Sequence, residues 1–350
     1  MREPSAPCDA GSPIRLGVVG LGDIWNSQAE ALRLSPHFIL AAAADNDPTR
    51  GTRIPSNIPF FADHRRLLSL GSVDAVLVST PLDSHFGIAR DALSSGLPVL
   101  LEKPATENYD DLVALYSIAS ASGALLVAAF HAAFGLDVRW AAEYLRSEEG
   151  SRLGPLTSFW SGFFDPYASE DKTQHRFESL KGSWIDSGVN ALSVLALFTD
   201  LSSLKVCDSI PTVLLPNQGE TAAVVVLGAC TPGAESTIHG LIETSWLLGA
   251  SHKSTVLAFG ATDTYLHLDH TSQIARVFKA GVCHRREDCG GGRDRLVNHY
   301  TGVFEDFATR VRIRQDNEKV SLQIHRLLFQ ASKIASKRRA RRRCLTTRCS

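Results

Sequence analysis

Leu180 to Leu197 reads LKGSWIDSGVNALSVLAL and sets two polar side chains, Asp186 and Asn190, in an otherwise apolar run. Four residues apart, they share one face of a helix. Ile185, Val189, Leu192, Leu195 and Leu197 recur at roughly helical spacing, which puts a carboxylate and an amide at the edge of a buried surface. Polar groups are costly there if unused. A carboxylate in that position can take the proton of a hydroxyl, and an amide can orient the same hydroxyl. The competing reading is structural: Asp186 caps the helix start and Asn190 bonds to it. Lys103 is the third candidate. It follows the apolar run Pro98 to Leu101 and precedes Pro104, so an extended backbone aims it beyond a strand end, where it can stabilise an oxyanion or share a proton transfer.

The elements that must position these groups begin at Ile14 to Val19, an apolar strand running into Gly20, Leu21, Gly22, Asp23 and Ile24, with a helical segment from Asn26 to Leu34. Strand, glycine turn and helix form a phosphate cradle: glycine lets backbone approach a pyrophosphate, and the helix N-terminus faces its charge. A second strand, Phe38 to Ala44, ends in Asp45, and 45 − 22 = 23 residues separate that carboxylate from Gly22. Such an acid accepts both ribose hydroxyls of NAD and repels a 2'-phosphate, while Arg50 nearby keeps NADP open. Trp25 stands at the third glycine position of the fingerprint, so helix and strand must pack differently there. The rhythm continues with a strand at Ala75 to Ser79 followed by Thr80, Pro81 and His85, and a strand at Pro98 to Leu101 followed by Glu102 and Lys103. Strands alternating with helices imply a parallel sheet, with ligands beyond the strands' carboxyl ends. His85 reads equally as a helix-start residue or a cofactor contact.

A helix from Tyr109 to Ser122 and a strand from Ala124 to Phe130 lead to His131; after the helix Ala133 to Arg146, the joint is expected at Gly150 to Pro155. Strands then follow one another at Leu156 to Phe164, Thr221 to Ala229, Glu235 to Trp246, Ser254 to Phe259, Thr264 to Asp269 and Ile274 to Lys279, the pattern of an antiparallel sheet. Helices at Leu296 to Arg310 and Val320 to Ser336 close this half. The expected organisation is a leader (1–13), a doubly wound α/β Rossmann domain (14–150), an α+β domain with an open, mainly antiparallel sheet (151–335) and a disordered basic tail (336–350).

With 350 residues, 44% of them hydrophobic and 21% charged, the chain has material for two cores. Its net charge of −1 conceals the run Lys337 to Arg343, KRRARRR, which offsets an acidic remainder. With no aromatic residue between the charges, a solvated tail is favoured over a nucleic-acid or anionic-membrane patch. The cysteines, Cys8, Cys207, Cys230, Cys283, Cys289, Cys344 and Cys349, include no Cys-x-x-Cys pair, which argues against a zinc site or disulfide framework and for a reducing compartment, the cytoplasm. No signal-peptide core and no apolar run of membrane-spanning length is present.

GVVGLGDIW, VDAVLVSTPLDSH, GLPVLLEKP and WIDSGVNALSV together resemble the Gfo/Idh/MocA oxidoreductases from Ile14 to about Ala335. Glu102, Lys103 and Pro104 reproduce that family's Glu-Lys-Pro signature, whose lysine lies near the nicotinamide and the reacting hydroxyl in many members. Most members carry a histidine four residues after the aspartate of the late helix; here it is Asn190. The segment Asp186 to Ser193 looks instead like that of the aldose 1-dehydrogenases, which oxidise galactose or arabinose to lactones. Phe130 and His131 are similar to their Trp-His pair. The resemblance implies NAD or NADP as cofactor, with the nucleotide side formed by Gly20, Gly22, Asp23, Ile24, Asp45, Thr80, Pro81, His85, Glu102 and Lys103. It also implies catalysis by Asp186, Asn190 and Lys103, a sugar contact at His131, and association of subunits through the open sheet. No metal, membrane or nucleic-acid role is expected. The sequence departs from those enzymes at Ala132 and Ala133, at Ser161 and Gly162 where a sugar-binding glutamate is common, and at Lys181 in place of the first of two glycines. Two rivals remain: a family enzyme acting on another sugar, inositol or nucleotide sugar, and a non-catalytic dinucleotide-binding regulator.

Overall fold

The computed structural model describes residues 12–167, 179–212, 220–229, 238–260 and 263–346, with side chains described as far as 340. The chain divides into two compact units, Met1–Phe134 with Leu296–Leu322, and Gly135–Arg295 with Gln323–Ser350.

The first unit is built on a six-stranded parallel sheet in the order β3-β2-β1-β4-β5-β6. Its strands are β1 (Ile14–Val19), β2 (Phe38–Ala44), β3 (Phe60–Phe61), β4 (Ala75–Val78), β5 (Val99–Glu102) and β6 (Leu126–Ala129). Helices α1 (Trp25–Leu34), α2 (His64–Leu68), α3 (Leu82–Ser94) and α4 (Tyr109–Ser122) make the crossovers. β4, β5 and β6 are buried at every position, the mark of parallel strands covered on both faces. Helix α4 is delimited by local chemistry: Asn108 accepts from the Asp111 amide at its start, and Gly123 ends it at φ 68°.

The second unit holds an eight-stranded sheet in the order β14-β13-β12-β11-β7-β10-β9-β8. Its strands are β7 (Leu156–Phe164), β8 (Lys205–Thr212), β9 (Ala222–Gly228), β10 (His239–Ser245), β11 (His252–Phe259), β12 (Thr264–Asp269), β13 (Ile274–Lys279) and β14 (Val282–Asp288). Every pairing is antiparallel except β7 with β10. Across the sheet Val225, Ile242, Ser161, Thr255 and Leu268 stand opposite one another and are buried. On the other face the row Val226, Leu241, Trp160, Val256 and His267 is only half buried. Helix α5 (Leu136–Arg146), the turn α6 (Glu148–Ser151) and the late helix α7 (Val189–Leu195) belong to this unit. A buried polar chain fastens α5 to the sheet: Asp137 Oδ2 is 2.6 Å from His270 Nδ1, and Thr255 Oγ1 is 2.8 Å from both His270 Nε2 and Ser161 Oγ.

Several expectations need correction. The helix α8 (Arg295–Ile313) packs in the first unit rather than closing the second, because Val297, Tyr300, Val303, Phe304, Phe307 and Ala308 join Ile14, Leu16 and Phe38 in one core. Phe307 stacks on Phe38 with ring centroids 5.9 Å apart. The division between units falls at Gly135, before α5, and 150–151 lies in α6. Two edge strands lack the apolar pattern of the others: β8 carries Lys205, Asp208 and Pro211, and β14 is almost wholly polar and exposed, since edge strands are kept polar against further pairing. The last helix, α9 (Glu318–Thr346), continues through the basic run, where a disordered tail is expected from sequence. Arg338 donates to both oxygens of Asp208, at 2.6 and 2.7 Å. The expected leader, apart from Ser12 and Pro13, lies outside the described residues, as do Cys8, Cys230, Cys349 and 347–350.

Candidate active site

The nucleotide side is built from the turn after β1. Gly20 has φ +96°, and a Cβ there would fall 2.5 Å from the Ser79 carbonyl oxygen, so only glycine lets β1 turn this close to β4. Gly22 is different: a Cβ would meet nothing nearer than Arg50 Nη1 at 3.7 Å, which leaves its backbone open to approach. Asp45, at the end of β2, is buried and accepts from the Leu21 amide at 2.8 Å and the Asp47 amide at 2.9 Å. Arg50 Nη1 is 3.2 Å from the same carboxylate, and Arg53 Nη1 donates to the Leu21 and Gly22 carbonyls at 2.9 Å. Trp25 lies in the core with its indole N–H on the Arg53 carbonyl, at 3.2 Å, so the third glycine position is filled by packing. Asp23 and Ile24 form the last step before α1, with Ile24 already helical at the N-cap. An open glycine backbone, a helix start and a strand-end carboxylate with spare acceptor capacity fit a dinucleotide.

The other strand exits are tied together. Buried His85, on α3, has Nε2 2.8 Å from the Thr80 carbonyl and Nδ1 3.1 Å from the Pro104 carbonyl, so it joins the loops after β4 and β5. Burial pushes its pKa down, although both carbonyls and Asp83 favour the charged ring. Thr80 Oγ1 also accepts from Ser84, at 2.8 Å, while Pro81 precedes α3 as its N-cap. Glu102 is buried at the end of β5 and accepts from Gln28 at 2.9 Å, from the Tyr300 hydroxyl at 2.6 Å and from the Lys103 amide at 3.1 Å. Burial raises its pKa; Tyr300, the Lys103 charge and amide, and Gln28 oppose that. Gln28 in turn accepts from Ser79, at 3.1 Å. His131 has Nδ1 3.2 Å from His299 Nδ1 and stacks on Tyr300 at 5.5 Å. Gln28 and Tyr300 carry no sequence signal of their own; Tyr300, like His299, comes from a helix that returns to this unit after a separation of 160 residues or more.

In the second unit the late helix starts as a π turn, Trp184–Gly188, that passes directly into α7. Asp186 lies inside this turn, its amide bonded to the Gly182 carbonyl at 3.1 Å, and it is buried. The N-cap positions are Ser183 and Gly188, and neither makes a side-chain cap, so Asp186 stands inside the turn and not at a cap position. Asn190 donates to the Asp186 carbonyl at 3.4 Å, not to its carboxylate. The Asn190 amide oxygen, on a residue 6% exposed, has no hydrogen-bond partner among the described residues. A π bulge carrying a buried acid and an unused buried acceptor is the kind of local irregularity that functional sites retain.

Three further residues stand beside this pair. Ser187 Oγ lies 3.5 Å from Asp186 Oδ2 and 3.4 Å from Asp165 Oδ2, so one hydroxyl proton is shared between two carboxylates. Lys253, 5% exposed, is ion-paired with Asp165 and donates to Ser251 at 2.9 Å. Burial pushes the Lys253 pKa down, and Asp165 and Asp186 work against that. Asp165 had a readable signal, since it ends a strand just as Asp45 does; Lys253 sits one residue before the strand start expected at Ser254. Among the described residues no group of three acids, histidines or cysteines could hold a metal, and no helix is long and apolar enough to cross a membrane.

A doubly wound parallel sheet with a glycine turn and a strand-end acid, joined to an open mixed sheet, defines a dinucleotide-binding class of fold. Residues 14–130 match the Gfo/Idh/MocA model described as "Oxidoreductase family, NAD-binding Rossmann fold". The chain is 30% identical over 186 residues to a D-xylose 1-dehydrogenase (NADP(+)) of Haloferax volcanii, covering 52% of this chain and 55% of that protein. It is also 30% identical over 190 residues to a dTDP-3,4-didehydro-2,6-dideoxy-alpha-D-glucose 3-reductase of Actinomadura kijaniata, covering 53% and 56%. The chain thus spans about half the length of these curated relatives. An inositol dehydrogenase homolog of Azotobacter vinelandii, solved with NAD+, has the same fold, with a TM-score of 0.78 at 17% identity over 93% of this chain and 96% of that one.

Proposed function

We propose that the protein is an NAD(P)-dependent oxidoreductase that oxidises an aldopyranose at C1 to its lactone. The observation that most supports this is the pair on the late helix: a buried carboxylate carried on a π turn, and a buried amide oxygen on Asn190 with no partner among the described residues. The nicotinamide, when bound, supplies the hydride acceptor. Asp186 takes the proton of the anomeric hydroxyl, Asn190 orients that hydroxyl, and Lys103 stabilises the negative charge that develops on its oxygen. Gly20, Gly22, Asp23 and Ile24 cradle the pyrophosphate, and Asp45 accepts from the ribose. Thr80 and Pro81 line the strand exit, His85 and Glu102 shape it through the loops and side chains they hold, and His131 contacts the sugar. The equal identity to a nucleotide-sugar reductase supports a second reading, in which the sugar carries a nucleotide. The half-buried row through Trp160 suits a second copy of the chain, and the free thiols of Cys207 and Cys283 suit a cytoplasmic setting.

The test is reduced-nicotinamide formation from NAD and from NADP against a panel of aldoses, inositols and nucleotide sugars. Turnover of aldoses alone supports the first reading, and turnover confined to nucleotide sugars replaces it with the second. Dinucleotide binding without any turnover moves the protein to a regulatory role. With an aldose, Asp186→Ala should lower kcat by about 100-fold or more while dinucleotide affinity stays within about threefold. Equal losses in both would make Asp186 structural.

A further inference from the structure

We infer that Glu220 is a positioning residue for Asp186, acting through the backbone of the π turn; the inference rests on reading Asp186 as the base. Glu220 immediately precedes Thr221 and β9, far in sequence from the late helix, and its carboxylate lies against the turn's entry. Glu220 Oε1 accepts from the Trp184 amide at 2.9 Å, and the Glu220 carbonyl accepts from the Ser183 amide at 3.1 Å. The same carboxylate occupies the space a side chain at 182 would need: a Cβ on Gly182, which has φ +111°, would fall 2.5 Å from Glu220 Oε1. Gly182 is also the residue whose carbonyl receives the Asp186 amide. One carboxylate therefore bonds the residue after Ser183 and packs against the residue before it, and the next hydrogen bond along is that of Asp186.

The remaining contacts make Trp184 the pivot of the turn. Its indole N–H donates to the Leu328 carbonyl of α9 at 2.9 Å, and its ring covers Gly188, where a Cβ would fall 2.5 Å from the indole. Ser183 Oγ is 3.0 Å from Thr244 Oγ1 on β10. The indole and the two hydroxyls hold side chains; Glu220 holds the backbone that carries Asp186. Single π turns are rare within α-helices, and this one is held by those outside partners. Arg339 Nη2 stands 3.8 Å from Glu220 Oε2 and supplies the opposite charge at a site where burial disfavours a carboxylate. The basic run thus contributes a charge to the anchor.

The test compares Glu220→Gln, which keeps an acceptor for the Trp184 amide, with Glu220→Ala, which removes it. Hydrogen exchange followed by mass spectrometry on the full chain should show faster exchange in peptides covering 183–190 for Glu220→Ala, with the core of β7, β10 and β11 unchanged, and near-normal exchange for Glu220→Gln. On the substrate found in the panel, Glu220→Ala should lower kcat by about 30- to 100-fold with KM within about threefold, because a base moved by an ångström loses rate more than binding. Glu220→Gln should recover most of that loss. If Glu220→Ala does not fold, Glu220→Met, similar in bulk but without the oxygen, carries the comparison. Unchanged exchange at 183–190, exchange raised equally throughout the unit, or a Glu220→Gln as impaired as Glu220→Ala would overturn the inference. The exchange measurement needs no substrate, so failure of the aldose reading and failure of the anchor are told apart.

Discussion

At the residue scale, the polar side chains that could do chemistry separate into those free to meet a ligand and those committed to the protein. The Asn190 amide oxygen has no partner among the described residues, whereas Glu102 has Gln28, Tyr300 and the Lys103 amide as donors. Tyr300→Phe removes one donor from a buried carboxylate and should cost about 2 kcal/mol in urea denaturation. His85 is committed in the same way, to the Thr80 and Pro104 carbonyls, and burial holds its pKa below the ordinary value. The linkage has a definite sign. Above the unfolded pKa of about 6.5 both states carry a neutral ring; below it the unfolded chain binds a proton that the folded one resists, so stability falls as pH falls. His85→Gln should be less stable than the parent at pH 7 and show a smaller loss of urea midpoint between pH 7 and 5. A parallel decline in both proteins would assign the acid sensitivity to other groups.

At the scale of elements, the late helix is where local pattern and tertiary contact meet. Its apolar spacing and the Asp186–Asn190 interval are readable in a single chain, but the π turn is not, because it depends on Glu220, Thr244 and Leu328, which lie at least 36 residues away. Lys181 at φ 60° and Gly182 at φ +111° form the bend that admits the turn. Both values fall in the region that favours glycine, which gives a physical reason for the paired glycines of the sugar dehydrogenases that the segment resembles. Gly182→Ala adds a side chain at a strained φ and against a carboxylate, and should lower stability by about 2 kcal/mol by urea denaturation. A loss well below 1 kcal/mol would mean that the turn relaxes around it.

At the scale of the whole molecule, the chain enters the first unit, leaves it at Phe134, returns for Leu296–Leu322 and leaves again. That return puts α8 in the core beside Phe38 and brings Tyr300 to Glu102. The face of the second sheet that carries Val226, Leu241, Trp160, Val256 and His267 stays half buried, and association of two copies would cover it. Trp160→Glu puts a charge at the middle of that row. Light scattering after size exclusion should then report half the parent's mass; an unchanged mass would place any interface elsewhere.

The sequence by itself determined the alternation of strands and helices from Ile14 to Phe130, the glycine turn with its strand-end acid, the consecutive strands beyond Leu156 and the polar pair on the late helix. All of these rest on periodicity or on short-range chemistry, which one chain carries within a few residues. Tertiary structure alone decided that α8 serves the first unit, that β8 and β14 are edges and that α9 continues through the basic run, with Arg338 paired to Asp208. It also placed Asp165, Lys253 and Glu220 around the turn that holds Asp186. Such contacts depend on which surfaces meet after the chain has folded, and an isolated Glu, Lys or Asp beside an apolar run carries no record of the partner it will find.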